Sequence, residues 1–450
     1  MIRHTLAAAA LLASVPLAAQ STTQDEIEAR YDRALAAGYK ALFLCSAIAN
    51  AERNGATRTP ESVEAWELTG IQSPLDSMID DLPYRIHRDG SGELRSVSVK
   101  WTDDALPRMA VHNSRRGCSQ LPIGGAPLPI VTKRPALQRD RAALLAPGTT
   151  LSASFAKAFG STYGEGTRTT AVLAMRDGQV LGEVYATDFG PAVPQRTWSV
   201  AKSIAATLVG AAVQRGQADV ANRAGLGLGL NDRRTGITID HLLRMASGRY
   251  SDTPGNRTNP LYYGGSTVAE TALHWPLVHE PGQVFRYANN DTLAAIKAIE
   301  EALEEHPPAQ FFAQLDMRDT VAETDWRGDY ILSSQVWSTA RDLAKLGQLY
   351  LDDGVLPSGE RVLPEGWAKY VSSPSGPQPD GAFGYGAGFW LLNKSEGVPS
   401  DTFAAMGNRG QFIVIVPSLN TVIVRRGEDP AGHRFDIAGF TRDVLESLGD

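Results

Sequence analysis

The run RTWSVAKSIAATLVG, residues 196–210, sets Ser199 three positions before Lys202 at the head of an alanine-rich apolar stretch. On a helix, residues three apart share a face, so this spacing brings a hydroxyl beside an amine. Serine is a poor nucleophile until a base takes its proton. Lysine can take it only when its own pKa is depressed, and an N-terminal position in a buried apolar helix supplies both desolvation and a positive helix end. The pair alone is a weak signal, because Ser154 and Lys157 repeat the spacing in SASFAK. Either copy can be the polar first turn of an ordinary buried helix, so partners must discriminate between them.

Two downstream segments supply such partners. PGQVFRYANND holds Tyr287 and Asn289, and AAMGNRGQFIVIVP leads a glycine-rich turn into a strongly apolar strand. Tyr287 is a candidate second general base, with its phenol pKa lowered by the lysine charge. Asn289 is a candidate bridge between the lysine and a substrate amide. The glycine turn can aim a backbone N–H at a developing oxyanion, opposite the N–H of Ser199. Together these groups are the set that acyl transfer calls for.

Other chemistries find less support. Gly225, Gly227 and Gly229 in AGLGLGLND lack the strand before and the helix after that a nucleotide loop requires. His274 and His279 are separated by Pro276 and do not have the spacing of metal ligands on one helix. No GxSxG elbow is present. The expectation is an enzyme without metal or cofactor.

On these motifs the chain resembles the serine hydrolases of the class C β-lactamase superfamily, which includes DD-peptidases, esterases and nylon-oligomer hydrolases. The likeness runs from about residue 150 to 450, through TWSVAKSIAATLVG, IDHLLRMASG, HEPGQVFRYANND, STARDLAKLGQLYLDDG, LPEGW and GYGAGFW. It implies Ser199 as nucleophile, Lys202 as its base, Tyr287 as partner base and Asn289 in support. The family's third motif, Lys or His followed by Thr-Gly, falls on Ala405-Met406-Gly407, which makes the N–H of Asn408 the second oxyanion donor. Ala405 lacks the family's cation, so penicillin-like carboxylates lose a partner there. The Gly407–Gln411 run is closer to the nylon-oligomer hydrolase and esterase branch. Arg409 in the turn is the candidate replacement for binding a substrate carboxylate. The implied fold is α/β: an antiparallel sheet flanked by helices, an inserted all-helical region and a small N-terminal extension.

The elements that must position these residues follow from pattern. Hydrophobic periodicity predicts a helix in TTQDEIEARYDRALAAGYKALFLCSAIAN, a strand at ELRSVSVKW and a helix at LSASFAKAFGS. TTAVLAMRDGQVLGEVY reads as two strands turning at Asp177-Gly178. Helices are expected near 199–215, 239–246, 291–305 and 436–448, and over STARDLAKLGQLYLDDG with Asp353-Gly354 as its stop, with late strands at GYGAGFWLL, QFIVIVP and TVIVRRG. Arg3 precedes an apolar stretch, Leu6 to Leu17, and small residues follow it, as in a signal peptide cleaved near residue 19. That stretch is too short for a membrane span, so no stable anchor is expected. Residues 20–145 then form the extension, ending in the Pro- and Gly-rich linker LPIGGAPLPIVTKRPAL, and 150–450 form the catalytic domain.

Export to the periplasm or medium makes the only two cysteines, Cys45 and Cys118, a disulfide; the alternative is two buried thiols. A net charge of -7 argues against nucleic acid as a partner, because phosphate binding needs a basic face. The expected partner is a small ester or amide. The competing reading is a catalytically weak penicillin-binding, DD-peptidase-like or peptidoglycan-binding protein.

Overall fold

The computed structural model describes residues 23–126, 148–229, 231–250 and 258–449. The expected signal peptide and most of the expected linker lie outside the described residues.

Apolar alternation builds the central sheet. Its strands are β5 (Thr169–Arg176), β6 (Gln179–Tyr185), β10 (Gly384–Tyr385), β11 (Trp390–Leu391), β12 (Phe403–Gly407), β13 (Gln411–Val416) and β14 (Thr421–Gly427). They lie in the order β10-β11-β12-β13-β14-β5-β6, antiparallel throughout. The last strand therefore pairs with the first, Val424 facing Leu173, which closes the two ends of the segment into one sheet. β5 and β6 turn at Asp177 and Gly178, with φ of 52° and 72°, as a two-residue hairpin of this composition requires.

Side chains leave the two faces alternately. Leu173, Phe403, Ala405, Ile413, Ile415 and Val424 pack with the helices Val200–Gln214 and Ala340–Leu351. Val172, Ala174, Ala404, Val414 and Ile423 pack instead with the helices Thr149–Ala158 and Ile437–Leu448. The short strands β7 (Gln195–Arg196), β8 (Val321–Ala322) and β9 (Val336–Ser338) form a second sheet. Among the described residues between β7 and β8 the named elements are all helical, as expected of the inserted region. The helix expected over 291–305 is in fact two, Asn289–Lys297 and Glu300–Glu305, broken at Ala298 and Ile299.

The N-terminal part is less separate than the sequence suggested. The helix Gln24–Arg53 opens with a capping box at Thr23 and is long and apolar enough to cross a membrane. Every residue from Leu35 to Ala51 is buried inside the fold. A helix apolar on all sides must be covered on all sides. Strands β1 (Tyr84–Arg88), β2 (Leu94–Val99), β3 (Arg108–Asn113) and β4 (Gly117–Gln120) form the sheet against it. Trp198, Tyr262, Tyr263, Leu293, Ile331 and Trp337, all from the later part of the chain, complete the same core. At Gly38 the helix passes so close that an added Cβ would lie 1.8 Å from the Tyr263 carbonyl oxygen. The expected disulfide, Cys45–Cys118, joins the helix to β4 within this core.

Candidate active site

The nucleophile turn follows β7. Thr197 N–H donates to the Val336 carbonyl of β9 at 2.7 Å, and Trp198 then adopts φ 49°, a conformation uncommon for a bulky residue. That reversal delivers Ser199 as the N-cap of the helix Val200–Gln214, partly open to solvent. Lys202 lies one turn on and is 1 % exposed. Its Nζ donates to Ser199 Oγ at 2.9 Å, to Asn289 Oδ1 at 2.6 Å and to the Ser333 carbonyl at 3.1 Å. Burial brings this ammonium down to about 7. At neutral pH a large share of the lysine is then unprotonated and able to accept the serine proton.

Tyr287 stands on the other side. Its ring lies 4.8 Å from Lys202 Nζ and packs against Trp390 and Tyr385 with centroid separations of 5.2 and 6.0 Å. The expected lowering of its phenol is corrected here. Desolvation by these surroundings pushes it up to about 12, while hydrogen bonding with Ser199 and Trp390 pulls the other way. Tyr287 thus holds its proton at neutral pH, so it can pass a proton on only as a relay that exchanges it with its neighbours.

Asn289 begins the helix Asn289–Lys297. The buried pair Arg249–Asp291, at 3.0 Å, holds that first turn, and Arg249 also donates to the Asn290 carbonyl. Asn289 binds the lysine as expected, but its Nδ2 donates to Thr258 Oγ1 at 3.0 Å. The amide thus orients the lysine through Oδ1 and is itself held through one of its two Nδ2 hydrogens.

The third segment closes the site from β12. Pairing of β11 with β12 reaches only Ala404 and Phe403, so Ala405–Gly407 runs past the end of β11. An added Cβ on Gly407 would lie 2.4 Å from the Thr197 carbonyl and 3.1 Å from Ser199 N. Only glycine permits this approach of strand to nucleophile turn. Exposed Asn408 follows at the turn into β13. Ala405 faces the Val200–Gln214 helix in an apolar core and brings no cation.

Arg409 is a correction. Its φ is 56° and it is 6 % exposed. Nε donates to Glu428 Oε2 at 2.6 Å, Nη1 to the Gly70 carbonyl, and Nη2 to the Trp66, Thr69 and Glu428 carbonyls. A guanidinium with its donors spent this way has no fork to offer a substrate carboxylate. It binds the turn to the N-terminal part instead.

Ser154 and Lys157 do not form a second site. Ser154 bonds Ser447 Oγ and the Asp443 carbonyl, while Lys157 pairs with Asp443, so both tie their helix to the C-terminal one. Sequence reasoning missed Ser333, Thr258, Tyr262 and Trp390. Tyr262 OH lies 2.7 Å from Ser333 Oγ, beside the carbonyl that holds Lys202. No spacing could reveal groups brought together across tens to more than a hundred residues.

An antiparallel sheet flanked by helices, with a serine and a buried lysine at the head of one helix, defines the class to which this chain belongs. The Beta-lactamase family model matches residues 155–437, and the chain is a member of that family. The 6-aminohexanoate-dimer hydrolase of Paenarthrobacter ureafaciens is 28% identical over 300 residues, spanning 59% of this chain and 74% of that protein. Among solved structures, a Bacillus anthracis protein provisionally named a 6-aminohexanoate-dimer hydrolase aligns with a TM-score of 0.53 at 21% identity, covering 62% of this chain and 79% of its own. A family VIII carboxylesterase aligns with a TM-score of 0.51 at 16% identity, covering 68% and 98%. These two likenesses establish the shared fold. The protein is a hydrolase of the Beta-lactamase family.

Proposed function

We propose that the protein is an exported serine hydrolase that forms an acyl-enzyme on Ser199 with small esters or amides. The observation that carries this is the contact between Lys202 Nζ and Ser199 Oγ, made by a buried lysine with a pKa near 7. Ser199 Oγ attacks the substrate carbonyl carbon, its proton passes to Lys202, and the carbonyl π electrons move to oxygen. The N–H groups of Ser199 and Asn408 receive that oxyanion. Collapse breaks the bond to the leaving group, which takes a proton from Tyr287, with Lys202 restoring the tyrosine's. Water then attacks the ester of Ser199 by the reverse path. The disulfide and the apolar N-terminal stretch support export.

Neutral substrates are favoured because Ala405 and Arg409 leave the third segment without a cation for a carboxylate. A fluorophosphonate probe should label Ser199, and Ser199→Ala should lower nitrophenyl-ester turnover by several orders of magnitude. Ser154→Ala should leave turnover intact. Absence of labelling would favour the binding-protein alternative, and efficient nitrocefin hydrolysis would overturn the neutral-substrate preference.

A further inference from the structure

Both backbone donors assigned to the oxyanion sit on turns that the N-terminal part braces. Behind the Ser199 turn, Phe43 of the helix Gln24–Arg53 packs against Trp198 and Trp337, each at a centroid separation of 5.9 Å, and stacks on Tyr39 at 4.2 Å. Arg196, 1 % exposed, lies with its guanidinium 4.3 Å from the Trp198 ring and 5.0 Å from that of Phe43, and it donates to Ser334 Oγ. The left-handed Trp198 is thereby clamped between its own chain neighbour and a helix outside the family match. Behind the Asn408 turn, Arg409 grips three carbonyls of residues 66–70. Gly70 O also accepts from Ala431 N at 2.8 Å, and the fully buried pair Arg58–Glu67 anchors that stretch from below. Left-handed residues at both turns, Trp198 and Arg409, carry conformational cost that surrounding contacts must hold in place.

We propose that the N-terminal part is a positioning device for catalysis, in which Phe43 sets the Ser199 turn and the carbonyls of residues 66–70, through Arg409, set the Asn408 turn. This rests on the assignment of Ser199 and Asn408 made above. Phe43 and Arg409 touch no reacting atom. They fix where the two N–H donors point, and a misplacement of such donors lowers the rate of the chemical step more than it weakens substrate binding.

The test compares Phe43→Leu, which keeps bulk but removes the ring, and Arg409→Lys, which keeps the charge opposite Glu428, with Val97→Ala. Val97 lies in the same core on β2, which packs on β1, β3 and the long helix, so its variant controls for lost stability alone. The readouts, on the full chain, are kcat and KM for a nitrophenyl ester, fluorophosphonate labelling rate and thermal midpoint. Phe43→Leu and Arg409→Lys should each lower kcat and labelling rate about tenfold to a hundredfold with KM little changed. Val97→Ala should lower the midpoint and leave kcat near that of the unmodified protein. If Phe43→Leu does not fold, Arg409→Lys decides. Unmodified protein that labels at Ser199, with variants that label equally fast or lose no more kcat than Val97→Ala, overturns the positioning role alone. Unmodified protein that resists the probe overturns the proposed function and the positioning role with it.

Discussion

Lys202 is the residue where burial becomes chemistry. Desolvation brings its pKa from 10.5 to about 7, so the neutral, proton-accepting form grows as pH rises through 7. Turnover of a neutral ester should therefore climb with pH to a plateau, half-maximal near 7, and a profile flat from about pH 5 to 9 would exclude Lys202 as the base. Tyr287, held up at about 12, should add no alkaline limb within that range. The same shift costs stability. Between 7 and 10.5 the unfolded chain binds the proton that the folded chain has lost, so stability rises with pH across that window. Lys202→Met should abolish turnover yet raise the denaturation midpoint, by more at pH 6 than at pH 9. An equal gain at both pH values would mean that the lysine is not titrating as its burial dictates.

At the scale of elements, the turn between β12 and β13 shows why charge in a substrate-facing segment does not imply a ligand. Arg409 and Glu428 form a buried pair at 2.6 Å with exposures of 4% and 0%. Burial raises the Glu428 carboxyl while Arg409 opposes that rise. Arg409→Ala leaves this carboxylate without its partner, a change that costs about 3 to 5 kcal/mol when a buried pair is broken. The variant should lose turnover on neutral esters and on carboxylate-bearing amides alike, with a matching drop in urea midpoint. Selective loss on the carboxylate substrates, with stability unchanged, would return Arg409 to a ligand role.

Across the whole molecule, the disulfide and the shared core join what the sequence divides. The Cys45–Cys118 bridge spans 73 residues. Cys118 N–H donates at 2.9 Å to Glu323, whose other oxygen accepts from Trp337 Nε1 at 3.0 Å. Glu323 itself is pushed up to about 7 by burial. Replacing both cysteines by alanine should cost roughly 2 to 5 kcal/mol. Unfolding should follow one transition seen equally by tryptophan fluorescence and circular dichroism, because Trp198 and Trp337 belong to the core of the long helix. Two separated transitions would show that the N-terminal part folds by itself.

Local pattern alone determined a good deal. Periodicity located the long helix, the β5–β6 hairpin and the C-terminal helix, and the order of Ser-x-x-Lys, Tyr-x-Asn and a glycine turn pointed to acyl transfer. Those signals are legible because backbone geometry repeats over a few residues, and because family chemistry keeps its groups at short spacings. Tertiary structure decided the rest. The phenol of Tyr287 rises because rings from residues 385 and 390 strip its water. Asn289 turns to Thr258, and Arg409 to residues 66–70. In each case the deciding partner lies far off along the chain. A side chain's charge state and free hydrogen-bonding capacity depend on which distant groups desolvate or satisfy it, and spacing along the chain carries no record of them.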